Sequence, residues 1–173
     1  CDRGGNAMML DTKHFGEIEV DADKVIAFPE GLPGFEDVRK FVLLGNEENA
    51  DTPFRWLQSV DRPELAFVVV DPFLIRKDYD IEIPDETCRK LGIRSIEDIQ
   101  LLSIVVVPAD YSQMSINLKA PIIININNRK GLQFVLDTDI YGVRHYISEE
   151  LRRREARENA CSYEEKRPVY SYR

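Results

Sequence analysis

The feature that most limits how this chain can fold is a recurrence of short β-type runs broken by turn residues. FGEIEV (15–20), KVIAF (24–28), KFVLLG (40–45), FRWLQSV (54–60), LAFVVVD (65–71), DYDIEI (78–83), IQLLSIVVV (99–107), SINLKAPIIINI (115–126) and LQFVLD (132–137) are rich in β-branched and aromatic residues. Between them stand turn formers. Arg62-Pro63-Glu64-Leu65 puts proline at the second position of a turn, so 54–60 and 65–71 are expected to form a hairpin. Asn128-Arg129-Lys130-Gly131 ends in glycine and is expected to join 115–126 to 132–137. Strands at this spacing predict a mainly β chain, a compact antiparallel β-barrel-like or sandwich domain. Its 173 residues, 43% hydrophobic, suffice for one domain with a core of its own.

Two stretches have helical signals instead. Asp85-Glu86-Thr87-Cys88-Arg89-Lys90-Leu91-Gly92 opens on an N-cap type and acids and closes on bases and a glycine, as capping and the helix dipole require. Cys88 and Leu91 share a face there, which makes Cys88 a small core residue rather than a nucleophile. Ser95-Ile96-Glu97-Asp98 resembles the start of a second brief turn. SEELRRREARENA (148–160) reads as a C-terminal helix without a broad apolar stripe, a pattern that packs weakly or awaits a partner. The expected organisation is therefore a β domain over 15–147, an N-terminal extension over 1–14, and a C-terminal helix and tail over 148–173. Cys1 is not a translational start, so Met8 or Met9 reads as the native beginning.

Residues 28–36, FPEGLPGFE, can be neither helix nor sheet interior, because proline removes a backbone donor and glycine frees the backbone. Phe28 and Phe35 are expected to anchor the ends, Gly31 and Gly34 to permit the bends, and Glu30 and Glu36 to stay displayed. Two roles fit such a stiff loop: a corner closing the barrel, or part of a partner-binding rim.

The net charge of −8 is uneven. Residues 148–173 hold seven Lys or Arg and six Asp or Glu, a balance of +1, which leaves −9 on the rest. An acidic body repels nucleic acid, whose recognition needs a cationic surface, and steers basic proteins toward it. Alternation sharpens this. In GEIEVD, Ile18 and Val20 point one way and Glu17, Glu19 and Asp21 the other; in DYDIEI, Tyr79, Ile81 and Ile83 oppose Asp78, Asp80 and Glu82. Each strand would carry three carboxylates roughly 6.6–6.8 Å apart. Such rows also guard strand edges against aggregation, but two on one small domain favour a docking surface for a cationic partner.

Catalytic and ligand-binding signatures are missing. There is no phosphate-cradling glycine loop and no HExxH. The three cysteines (Cys1, Cys88, Cys161) have no metal spacing or disulfide pattern, and the two histidines (His14, His145) stand alone near the ends of the folded region, so no catalytic triad is expected. No cofactor and no enzymatic activity are expected. No run approaches a membrane span, the first residues lack a secretory signal, and the cysteine usage suits a reducing, cytoplasmic setting.

Four segments, FPEGLPGFE (28–36), LQSVDRPELAFVVVDP (57–72), VVPAD (106–110) and MSINLKAPIIINI (114–126), together resemble the flagellar assembly factor FliW family. The resemblance runs in order over about 15–147. It implies a β-barrel-like, cytoplasmic, non-enzymatic regulator of bacterial motility with two alternative partners, monomeric when free. One is flagellin, held before export; the other is the carbon storage regulator CsrA, a basic RNA-binding dimer that represses flagellin translation. The CsrA-facing surface is expected to draw on Glu17, Glu19, Glu30, Glu36, Asp78, Asp80 and Glu82. Flagellin would need apolar contacts, for which Phe35, Tyr111 and Met114 stand beside turn residues in the family-like segments. The Arg152-Arg153-Arg154 cluster lies outside the matched region. Two rivals remain: a small nucleic-acid-binding barrel, and an enzyme using clustered aspartates with a metal.

Overall fold

Strand pairing dominates the computed structural model, which describes residues 7–13, 15–45 and 53–161. β1 (Ala7–Thr12) and β2 (Gly16–Asp21) form a separate antiparallel hairpin. There follow β3 (Ile26–Ala27), β4 (Lys40–Leu44), β5 (Arg55–Ser59) and β6 (Ala66–Val70). Two short helices, α1 (Pro72–Ile75) and α2 (Asp85–Leu91), precede β7 (Ile99–Val106). β8 (Ser115–Ile116), β9 (Ile122–Asn125), β10 (Lys130–Gln133) and β11 (His145–Tyr146) lead into α3 (Ile147–Cys161).

The larger sheet runs β11-β8-β7-β6-β5-β4-β3-β10-β9, and β7 pairs with β9 as well. That last pairing closes β3, β4, β5, β6, β7, β9 and β10 into a seven-strand barrel, so the mainly β expectation resolves as a barrel rather than a sandwich. Pairing is antiparallel except between β3 and β10. β8 and β11 branch from β7 outside the closed ring. Closure leaves the ring with no free edge to template aggregation.

Local chemistry explains the joints. The Leu65 N–H donates to the Arg62 carbonyl at 3.1 Å, closing the expected turn between β5 and β6. The turn joining β9 to β10 lies over residues 126–129, two positions earlier than expected: Arg129, at φ 57°, donates its N–H to the Asn125 carbonyl at 3.0 Å, and Gly131 is already paired within β10. α2 ends on Gly92 in the left-handed region, φ 68°, though its N-cap is Pro84 and not Asp85. Ser95 and Asp98 form a reciprocal capping box around the brief 3-10 turn at Ile96–Asp98.

Two expected strands need correction. SINLKAPIIINI is not one strand: it breaks over 117–121 into β8 and β9, where the Asn117 side chain accepts from the Lys119 and Ala120 N–H groups and Pro121 cannot donate to a ladder. DYDIEI (78–83) is not a strand at all. Its burial alternates as expected, with Tyr79 buried, Ile81 and Ile83 half-buried and the acids exposed, but it pairs with no neighbour and runs as extended chain between α1 and α2. Side-chain bonds hold it instead. The Tyr79 hydroxyl donates to the Leu118 carbonyl at 2.6 Å, and the Asp80 N–H donates to the Tyr141 hydroxyl at 3.0 Å. Burial, then the neighbouring Tyr141, pushes the Tyr79 phenol above its ordinary value, so it stays a donor at any physiological pH. Tyr79→Phe leaves that carbonyl without its partner and is expected to cost about 1–2 kcal/mol in a denaturant midpoint measurement.

Inside the barrel, Ile26, Phe28, Phe41, Leu57, Val69, Leu102, Ile122 and Ile124 form one core cluster. A second lies between β7, β8 and the segments leading to α3, built on Val70, Ile75, Tyr79, Val105, Ile116, Leu118, Tyr141 and Ile147.

Candidate protein-binding surfaces

The 28–36 loop is built from the core outward. Phe28 is fully buried and meets Phe41 edge-on, with ring centroids 5.3 Å apart. Leu32 is buried in the same cluster, and Phe35 is half-buried against Phe67 at 5.5 Å. The loop thus plugs the barrel. Its two acids face outward but are engaged: Glu30 pairs with Lys90 of α2 at 3.2 Å, and Glu36 accepts from the Gly34 N–H at 3.2 Å. Phe35 lies in this plug, away from Tyr111 and Met114.

The β1–β2 hairpin presents a different face. Met8, Leu10, Thr12, Ile18 and Val20 turn inward, whereas Met9, Asp11, Glu17, Glu19 and Asp21 turn out. Register sets Asp11 directly opposite Glu17 and Met9 opposite Glu19. Like charges opposed across a strand pair repel. Asp21 is used locally, accepting from the Asp23 N–H. Among the described residues, Asp11, Glu17 and Glu19 have no ion pair or hydrogen bond through their carboxylates.

The second acidic row divides. Asp80 and Glu82 are exposed and have no ion pair among the described residues, but Asp78 does not stand free. It accepts from Arg76 Nε at 3.2 Å and from Arg157 of α3. Partial burial pushes its carboxyl up, but Arg157 and then Arg76 outweigh that and hold it below the usual carboxylate range. Lys77 and Arg154 lower Glu158 in the same way. Arg154 also donates to the Leu74 carbonyl at 2.9 Å. α3 is therefore latched to the 74–78 segment by charge. Beneath it, buried Arg76 faces buried Glu150 at 3.7 Å and lies over the Tyr141 ring at 5.0 Å. His145 is part of this set: Nε2 accepts from the Gly142 N–H, so Nδ1 carries the proton and donates to Glu150 at 3.0 Å.

Groups whose folded pKa is depressed stabilise the latch above their unfolded values and lose that contribution as pH falls through the folded values. α3 is thus expected to loosen as pH drops below about 4. Faster tryptic cleavage within 152–157 at about 0.5 M salt, where exposed pairs are screened, checks the same latch at neutral pH.

Beside the latch lies an apolar groove of about 430 Å³, lined by Pro53, Phe54, Leu74, Ile75, Tyr111, Met114, Ile147, Ser148 and Leu151. The 3-10 turn at Tyr111–Gln113, whose N-cap Asp110 accepts from the Ser112 N–H, holds Tyr111 outward at 73% exposure. Met114 is half-buried at the floor, where its carbonyl accepts from the Ile147 N–H and ties the wall to the start of α3. Leu74 and Leu151 are also exposed. Sequence reading placed Tyr111 and Met114 together but missed Phe54, Leu74, Ile147 and Leu151, which come from three other segments. Among the described residues, no three His, Cys, Asp or Glu side chains gather as a metal site, and no helix is long and apolar enough to cross a membrane.

Comparison with known proteins agrees with this architecture. The profile of the family described as FliW protein matches residues 9–147. A flagellar assembly factor FliW from Ruminiclostridium cellulolyticum is 49% identical over 148 residues, covering 86% of this chain and 99% of that protein. One from Thermotoga neapolitana is 40% identical over 84% of this chain and 97% of its own length. A crystal structure of the flagellar assembly factor FliW superposes with a TM-score of 0.75 at 36% identity, covering 81% of this chain and 96% of that one.

Proposed function

The chain belongs to the FliW family, and from that premise we propose that it is a non-enzymatic, cytoplasmic flagellar assembly factor that exchanges two protein partners, flagellin and CsrA. While flagellin accumulates it occupies the protein, and CsrA is free to repress. Once flagellin is exported, the protein captures CsrA and flagellin translation resumes.

The observation that carries this reading is the division of the exterior into chemically distinct faces. Glu17, Glu19, Asp80 and Glu82 are exposed carboxylates with no cation beside them among the described residues, suited to a basic partner. An RNA phosphate approaching a CsrA dimer docked there would meet added negative charge. Asp78, Glu30 and Glu36 are bound within the fold, and the cations beside Asp78 and Glu30 leave those two little field to add. The groove at Tyr111 and Met114 offers flagellin apolar anchors instead. Phe35 serves the barrel plug.

Biolayer interferometry with the immobilised full chain tests the proposal. CsrA and flagellin should each bind, whereas a flagellin-leader RNA applied alone should not. Failure of both proteins to bind, or direct retention of the RNA, would overturn it.

A further inference from the structure

Resting on the assignment of Asp80 and Glu82 to a basic partner, we propose that this partner adds a β-strand to the backbone of residues 80–83. The segment is an edge strand in all but its ladder. Its side chains alternate between the body and solvent, yet the N–H and carbonyl groups of Ile81, Glu82 and Ile83 make no hydrogen bond among the described residues. Backbone groups sealed inside a protein are nearly always paired, so these lie open to water.

Direction separates them. Extended chain turns the backbone groups of successive residues to opposite sides. The Asp80 N–H donates to the Tyr141 hydroxyl at 3.0 Å, which fixes the inner side for Asp80 and Glu82. Ile81 and Ile83 therefore aim their backbone the other way, a donor and an acceptor each, roughly 6.6–6.8 Å apart. An added strand pairs with that pattern. Pro84, which has no N–H, ends the edge.

Side chains choose the occupant. Ile81 and Ile83 are half-buried, packed against two different core clusters, and leave apolar surface for a neighbouring strand to cover. Asp80 and Glu82 point outward without an ion pair among the described residues, whereas Asp78, just upstream, is engaged by Arg76 and Arg157. Cross-strand neighbours pair by kind, so the incoming strand alternates apolar residues beside the isoleucines with lysines or arginines beside the acids. A second copy of this segment would set carboxylates against carboxylates.

The test is amide hydrogen exchange, followed by NMR, on the full chain at about 50 mM salt. The probe is a capped hexapeptide alternating lysine with valine, at about 1 mM. The Ile81 and Ile83 amides should exchange freely in the chain alone and slow roughly tenfold with the peptide, while the Glu82 amide changes little. A twin methylated on its valine nitrogens, which face the edge, should bind roughly tenfold more weakly. One methylated on its lysine nitrogens, which face away, should bind like the parent. Asp80→Lys with Glu82→Lys should abolish the protection. Peptide that leaves both amides exchanging freely, equal binding of the valine-methylated twin, or protection that survives the double substitution would overturn the proposal. So would amides already slow in the dilute chain, which assigns the edge to the chain itself, or amides that slow only as the chain is concentrated, which assigns it to a second copy. CsrA separates the two levels. If CsrA binds and leaves both amides exchanging freely, the basic-partner reading stands and strand addition fails. If the peptide protects both amides and CsrA does not bind, strand addition stands and the CsrA reading fails.

Discussion

Gly31→Ala is expected to destabilise the protein by about 3–5 kcal/mol, lowering the melting temperature by roughly 10 °C for a chain of this length. Gly31 is buried with φ 68°, and a Cβ there would stand 2.6 Å from the Glu36 Cα and 2.7 Å from the Glu36 carbonyl oxygen. Those are backbone atoms, so no rotamer change relieves the clash. The loop would have to open where Phe28, Leu32 and Phe35 plug the barrel, withdrawing apolar surface from the core cluster. Gly34 supplies the control. Its φ is 86°, also left-handed, but nothing lies within 4 Å of its Cβ position. Gly34→Ala should therefore show only the backbone strain, about 1–2 kcal/mol. Similar shifts for the two variants in parallel thermal melts would mean that the loop is not clamped against itself at Gly31 and Glu36.

The same contrast shows what the sequence made legible. Proline and glycine spacing located the 28–36 bend and the β5–β6 turn, because those constraints act within a few residues. Strand-type runs pointed to a closed antiparallel architecture for the same local reason. DYDIEI misled because alternating burial is a property of extended chain, and ladder pairing requires a partner that only the tertiary fold supplies. β1 escaped notice because AMMLDT has little β-branched character, and its pairing with β2 is what makes it a strand. The acid rows were visible, but their occupancy was not. Asp78 meets Arg157 across 79 positions and Glu30 meets Lys90 across 60. The buried Arg76, Glu150 and His145 set and the groove walls share that origin in long-range contacts, which no spacing rule encodes.

Charge reversal on the hairpin should weaken partner capture while making the protein slightly more stable. Glu17 faces Asp11 across the β1–β2 ladder, so Glu17→Lys exchanges a repulsive pair for an attractive one worth a few tenths to about 1 kcal/mol. If the opposed carboxylates served only solubility or edge protection, nothing would oppose adopting the better pair. The proposed binding role would account for the repulsion, because a field strong enough to steer a basic protein requires acids concentrated on one face. With Glu17→Lys and Glu19→Lys combined, association with CsrA should slow by about tenfold at low salt, and the remaining rate should lose most of its salt dependence. Asp78→Lys should behave in the opposite way. It leaves Arg76 and Arg157 facing a third cation, loosens α3 and lowers stability, and it changes the CsrA association rate little, since that carboxylate is already neutralised. Stopped-flow association over a salt series, read beside thermal melts of the same variants, distinguishes the two sites. A hairpin variant that gains stability and still binds CsrA at the unaltered rate would remove β1 and β2 from the interface and leave Asp80 and Glu82 as the unpaired acids of the two rows still able to meet a basic partner.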